Sequence, residues 1–172
     1  MQDILGQDAR EWRFIENLFL QLARVSGYQE IRTPILENSA VFHRTLGESS
    51  DAVQKETYDF IDRGGESVTL RPEGTAPVIR ALISNGMTHE LPLKFCYLGP
   101  MFRYERPQKG RLRQFHQIGV ESIGFAEPWS DIDCIYLGYQ VLNQLGLKNS
   151  VKLEINTLGD SESRNAHRTA FI

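Results

Sequence analysis

Paired strands around tight or basic turns, interleaved with amphipathic helices, predict an α+β domain. Three observations lead there. TYDFID, RGGE and SVTLRPE read as strand, glycine turn and strand, which is a hairpin signature. Residues 95–123 read as two further strands, joined by a loop dense in Arg, Lys and Gln. Elsewhere, apolar residues recur at spacings of three and four, the period of a helix with one buried face. The 172 residues suffice for one domain with its own core. With 41% hydrophobic and 24% charged residues and a net charge of -3, the composition speaks against disordered, collagen-like and coiled-coil classes.

Taken in order, Asp8 to Ser26 is a predicted helix whose stripe is Trp12, Ile15, Leu18, Phe19, Leu22 and Val25, with Gly27 as stop. YQEIRTPILE follows as an edge strand or extended arm, because Pro34 cannot donate to a ladder. Its apolar residues Ile31, Pro34, Ile35 and Leu36 suit either the domain itself or a second subunit. Residues 38–50, with Asn38, Ser39, Gly47, Ser49 and Ser50, read as a mobile surface connection holding a short apolar helix-like piece around Val41 and Phe42. The hairpin ends on Glu73, and a helix then runs from Thr75 as N-cap, through Pro77 in the first turn, to Gly86. Ser130 and Asp133 open a helix over 131–145, closed by Gly146. Its residues Ile132, Ile135, Tyr136, Tyr139, Val141, Leu142 and Leu145 are expected to pack on a sheet. VKLEIN, residues 151–156, is an expected strand, and SESRNAHRTAFI starts as a helix and stops in mid-element, as in a piece of a longer protein.

Isolated Cys96 and Cys134 read as reduced core thiols, and scattered His43, His89, His116 and His167 give no metal-ligand spacing. No run of about 18 apolar residues marks a membrane span, and the N-terminus lacks a signal-peptide pattern. A cytoplasmic location is the expectation.

Side chains alternate across a strand, so three predicted strands each carry a polar face. The first holds Phe95, Tyr97, Gly99, Met101, Arg103 and Glu105; the second Arg113, Phe115, Gln117, Gly119 and Glu121; the third Thr69, Arg71 and Glu73. Such a face fits a polar ligand better than a core. Arg103 offers a planar fork for phosphate or carboxylate oxygens, and Arg111 a second cation along the loop. Phe115 can stack under a purine, while Glu73, Gln117 and Glu121 can accept hydrogen bonds from an ammonium group. The helix start beside Glu73 adds free N–H groups. Together they describe a nucleoside triphosphate, with Mg²⁺ on its phosphates, beside a cationic small molecule. Attack of a carboxylate on the α-phosphate fits, since it needs positioning and charge neutralisation but no general base.

These stretches resemble the class II aminoacyl-tRNA synthetases, specifically the histidyl-tRNA synthetases. GYQEIRTPILE is similar to motif 1, FRYERPQKGRLRQFHQIGVE to motif 2 in its histidine-specific wording, and TLRPEGT to the amino-acid-binding segment. The resemblance implies an antiparallel sheet flanked by helices, and a homodimer with Pro34 at its interface. It implies Arg103 as the catalytic residue, touching both the α-phosphate and the histidine carboxylate. Histidine would be held by Glu73, Gly74, Thr75, Arg103, Gln117 and Glu121, and ATP by Arg103, Glu105, Arg111 and Phe115. Loop 104–112 would meet the acceptor stem of tRNA(His). No residue is implied as a metal ligand.

The third class II motif and an anticodon-binding domain are absent from residues 1–172. The chain then corresponds to the N-terminal part of a catalytic domain. Two rival readings remain. One is a synthetase-like, histidine-sensing regulatory subunit of ATP phosphoribosyltransferase. The other is a nucleic-acid-binding module using the basic loop alone, which leaves Glu73 and the polar strand faces unexplained.

Overall fold

The computed structural model describes residues 3–45, 56–106, 108–156 and 159–170. At its centre are two ten-residue antiparallel strands, β5 (Leu93–Phe102) and β6 (Gln114–Ile123). Their register runs from Leu93 opposite Ile123 to Phe102 opposite Gln114. Strand β1 (Gln29–Glu30) pairs with the other edge of β5, and in parallel. A second antiparallel sheet has the order β2-β4-β3, from Leu36–Asn38, Ser67–Leu70 and Tyr58–Ile61. The α+β expectation and both hairpins are therefore borne out.

Alternation gives β5 two different faces, and both are covered. Cys96 points toward α1 (Gly6–Val25) and α4 (Trp129–Gln144), in a cluster with Phe19, Ala23, Tyr28, Leu137 and Val141. Phe95, Tyr97 and Met101 pack on Val78 and Leu82 of α3 (Thr75–Ser84). Burying a side chain such as Val78 or Met101 contributes about 1.5–3 kcal/mol. This corrects the expectation of an open polar face on the first strand: its ring and sulfur positions are core, and the ladder ends before Arg103.

The arm 28–37 holds two strands rather than one. It leaves β1 with Ile31 N–H bonded to Cys96 O at 2.9 Å, and it enters β2 with Ile35 O accepting from Arg71 N–H at 3.0 Å. Pro34 lies in the crossing, where a missing donor costs nothing. The crossing is pinned by Arg71, 7% exposed, whose Nη1 donates to Thr33 O at 2.9 Å and whose Nε donates to Pro100 O at 3.0 Å. Its Nη2 lies where a side chain at Gly99 would begin, since a Cβ there would fall 2.6 Å away. Thr69, also buried, bonds to Asp59 and, at 2.8 Å, to Ser39. The polar face of β4 thus serves internal hydrogen bonds, against the expectation that it faces a ligand.

Other boundaries differ. Val25 lies outside the buried stripe of α1, which centres on Phe19 and Ala23. Residues 40–45 form α2 (Ala40–Thr45), with Phe42 at 0% exposure, so this part of the expected surface connection is core. Gly47, Ser49 and Ser50 lie outside the described residues. Neither Ser130 nor Asp133 caps α4; Asp133 instead accepts from Lys94 Nζ at 2.9 Å. Only Leu137 and Val141 of α4 are fully buried, while Ile132, Ile135, Tyr136 and Tyr139 are exposed. Residues 151–156 form no strand, because among the described residues nothing pairs with them; Val151, Leu153 and Ile155 are exposed. Residues Ser161–Ala170 form α5. Cys96 and Cys134 are free thiols, as expected, with Cys134 Sγ 3.3 Å from the Tyr28 hydroxyl.

Candidate active site

The site occupies the β6 face turned toward α3. Register sets its floor: Phe115 opposite Met101, Gln117 opposite Gly99, Gly119 opposite Tyr97, and Glu121 opposite Phe95. At one end, Thr75 Oγ1 donates to Glu121 Oε1 at 2.8 Å, and the Tyr97 hydroxyl donates to the same oxygen at 3.4 Å. Burial raises the Glu121 carboxyl above its usual range, and the nearby Glu73 charge adds to this while the two hydrogen bonds oppose it. Burial, with the charge of Glu121, pushes Tyr97 up to about 12, so its hydroxyl stays a donor at neutral pH.

Glu73 has a structural task. Its carboxylate accepts from Thr75 N–H at 2.5 Å and Ala76 N–H at 2.9 Å, capping α3. This overturns Thr75 as N-cap: Gly74 holds that position, and the Thr75 hydroxyl is turned to Glu121. The helix N–H groups expected to be open to a ligand are the ones Glu73 takes. Among the described residues, Gln117 Oε1 and, on the opposite face of β6, Ser122 Oγ are buried with no hydrogen-bond partner. Buried acceptors are nearly always paired, and Gln117, on the face shared with Glu121, has an acceptor to offer to a water or a ligand donor.

At the other end, Arg103, Glu105, Arg111 and Phe115 line one open cavity of about 260 Å³, with Gly110 and Leu112. Every residue expected at a nucleotide is therefore in one concavity. Arg103 Nε donates to Pro72 O at 3.0 Å, and its guanidinium sits 5.0 Å from the centre of the Phe115 ring. Arg111 and Glu105 form an ion pair at 3.5 Å. A larger concavity of about 630 Å³ lies between α1 and β1, but it contains none of the expected residues. Pro34 lines neither the cavity at Arg103 nor the contacts at Glu121, and it is exposed beside Ile35 and Leu36.

Sequence reasoning placed Tyr97 on the right strand face but gave it no role. The signal was two glycines. A Cβ on Gly74 would lie 2.2 Å from the Tyr97 ring, and one on Gly119 would lie 2.4 Å from it. Both positions are small because the ring passes between them.

An antiparallel hairpin covered by helices, with these groups along its open end, is a domain of the aminoacyl-tRNA synthetase catalytic type. The family model of histidyl-tRNA synthetase matches residues 1–159, and the chain belongs to that family. It is 55% identical over 170 residues to the histidine–tRNA ligase of Gluconacetobacter diazotrophicus, covering 99% of this chain and 41% of that protein. With the histidine–tRNA ligase of Pseudothermotoga lettingae the identity is 53%, over 98% of this chain and 39% of the relative. The apo histidyl-tRNA synthetase of S. aureus superposes with a TM-score of 0.79 at 41% identity, covering 99% of this chain and 39% of that one. A Bacillus halodurans structure described as an ATP phosphoribosyltransferase regulatory subunit/histidyl-tRNA synthetase matches at 0.73 and 28%, over 86% of this chain and 37% of its own. The chain spans about two fifths of the length of these relatives.

Proposed function

We propose that the chain is the N-terminal part of the catalytic domain of a longer protein that activates histidine with ATP and transfers it to tRNA(His). The observation that supports this most is the position of Arg103. Its side chain is tied to Pro72, next to the Glu73–Thr75 end, and lies over Phe115 at the nucleotide end. This position supports a group that would reach both reactants of such a reaction.

In this reading the histidine carboxylate attacks the α-phosphorus of ATP. A bond forms from carboxylate oxygen to phosphorus, and the bond from phosphorus to the pyrophosphate oxygen breaks. Arg103 bridges carboxylate and α-phosphate and neutralises charge that grows in the transition state. Phe115 stacks on adenine, Glu105 accepts from its amino group, and Arg111 releases Glu105 to reach the γ-phosphate. Glu73, Gly74, Thr75, Gln117 and Glu121 hold histidine at its α-amino and neighbouring groups. Among the described residues no cluster of three His, Cys, Asp or Glu could hold a metal. Mg²⁺ would be held by the phosphate oxygens of ATP, with at most one or two carboxylates from the protein. Loop 104–112, with Arg106, Lys109 and Arg111, suits the acceptor stem. A homodimer through the arm at Pro34 and a cytoplasmic location complete the reading; no described helix is long and apolar enough to cross a membrane.

The regulatory-subunit reading has weaker support. It gives no use to the shared cavity of Arg103, Glu105, Arg111 and Phe115. Histidine-dependent ATP–pyrophosphate exchange by the whole-length protein separates the two. We expect exchange, reduced about 10²–10³-fold by Arg103→Ala. A folded whole-length protein that binds histidine without exchange would sink the ligase reading. The 172-residue chain alone is expected to exchange feebly or not at all.

A further inference from the structure

We propose that Tyr97 is a positioning residue for the amino-acid end: its hydroxyl, together with that of Thr75, fixes Glu121 so that one carboxylate oxygen faces an N–H group of the substrate. This rests on the histidine reading above.

The geometry has three parts. First, the Tyr97 ring is held from two sides by separate elements, Gly74 before α3 and Gly119 on β6, neither of which has room for a Cβ. A ring enclosed in this way holds its hydroxyl beside Thr75 and Glu121. Second, the hydroxyl donates to Glu121 Oε1, the oxygen that also accepts from Thr75 at 2.8 Å. Both protein donors go to Oε1, and Oε2 accepts no hydrogen bond from the described residues. A carboxylate gripped on one oxygen presents the other in a fixed direction. Third, Gln117 Oε1 lies on the same strand face, buried and unpartnered. It is a second acceptor at this end that the described residues leave available to a donor.

The alternative role for Tyr97 is filling space beneath α3 beside Val78 and Leu82. Tyr97→Phe separates the roles, because a phenyl ring fills the same space and lacks only the donor. The groups facing Glu121 are Glu73 from the segment before α3, Tyr97 from β5, and the neutral hydroxyl of Thr75. The Tyr97 hydroxyl favours the ionised carboxylate. Its removal moves Glu121 protonation to higher pH, so the defect deepens as pH falls. Titration of the substrate imidazole is common to both proteins and cancels in their ratio.

The test uses the whole-length protein, with calorimetric histidine binding and ATP–pyrophosphate exchange measured side by side. For Tyr97→Phe we expect histidine affinity and histidine KM to weaken about tenfold, the scale of one hydrogen bond to a charged group, with the KM for ATP changed by less than about twofold. The ratio to wild type is expected to be larger in mildly acidic than in mildly alkaline buffer. Gly119→Ala, which pushes the ring aside, is expected to weaken histidine binding at least as much. Unchanged histidine affinity in Tyr97→Phe overturns the proposal, and so does an equal loss for histidine and ATP or a defect independent of pH. If the wild type binds histidine without exchange, the activation reading fails while Tyr97 is still judged by the binding ratio. If the wild type binds no histidine, both fall.

Discussion

The two ends of the β6 face are built on opposite plans. Around Glu121 the chain is committed before any ligand arrives: a ring is enclosed between two glycines, two hydroxyls converge on one oxygen, and a carboxylate is kept where its charge is disfavoured. Around Arg103 the chain is open, and Arg111, with its side chain 64% exposed, answers Glu105 across 3.5 Å. In the proposed reading, that pair would part as a nucleotide enters. A small amino acid offers few atoms, so its discrimination depends on groups already in place. A triphosphate brings its own charges and can order a loop around them. In the proposed reading, rigidity would sit where the ligand is small, and adaptability where it is large.

Substitutions at each end test this contrast. The largest effect on folding is expected from Gly119→Ala, where a methyl would meet the Tyr97 ring at 2.4 Å. Overpacking of this kind costs about 1–3 kcal/mol, read from the denaturant midpoint. Its counterpart, Gly110→Ala, meets nothing within 4 Å and has only the left-handed backbone, φ +81°, to pay for. The loss there is expected to stay near 1 kcal/mol, the backbone term alone. Equal losses at the two glycines would erase the contrast.

Glu121→Gln comes next, and its sign is set by pH. The folded-state pKa lies above the ordinary glutamate value. The contribution of Glu121 to stability is therefore intact below that value and is lost as pH rises through the raised one. At neutral pH the ionised group burdens the unliganded protein. Glu121→Gln is expected to raise the thermal midpoint at neutral pH, with the gain fading in acid, while histidine binding is lost. A gain that persists in acid would refute the assignment. The smallest effect is expected from Arg111→Ala, whose exposed pair is worth at most about 1 kcal/mol. Stability should barely move, and ATP affinity should fall.

Much of the architecture was legible in the sequence because its signals are local. A glycine turn and a basic loop between alternating strands suffice for the two hairpins, apolar spacings of three and four for α1 and α4, and Pro77 and Gly86 for α3. Arg103, Glu105, Arg111 and Phe115 were legible through motif wording, and they do share a cavity. What was misread depends on distant partners. Thr69 and Arg71 alternate as ligand-facing residues would, but the acceptors of Arg71 are Thr33 and Pro100, far along the chain in both directions. Residues 151–156 have the composition of a strand, yet a ladder needs a neighbour. In α4, apolar residues on several sides left the buried side undefined, and register chose Leu137 and Val141. Tyr97 needed the pairing with Gly119, which periodicity alone does not supply.

Arg71 and Gly99 carry a consequence for how this sequence can vary. A guanidinium nitrogen occupies the space of the missing side chain, 2.6 Å from where a Cβ would stand. Any residue but glycine at 99 displaces the arginine, and any shorter residue at 71 strands the carbonyls of Thr33 and Pro100. Neither position offers a neutral first step, so the pair forms an epistatic lock. Drift at one site has to wait for a compensating change at the other, and the double variant Arg71→Met/Gly99→Ala should be less harmful than its two single variants combined.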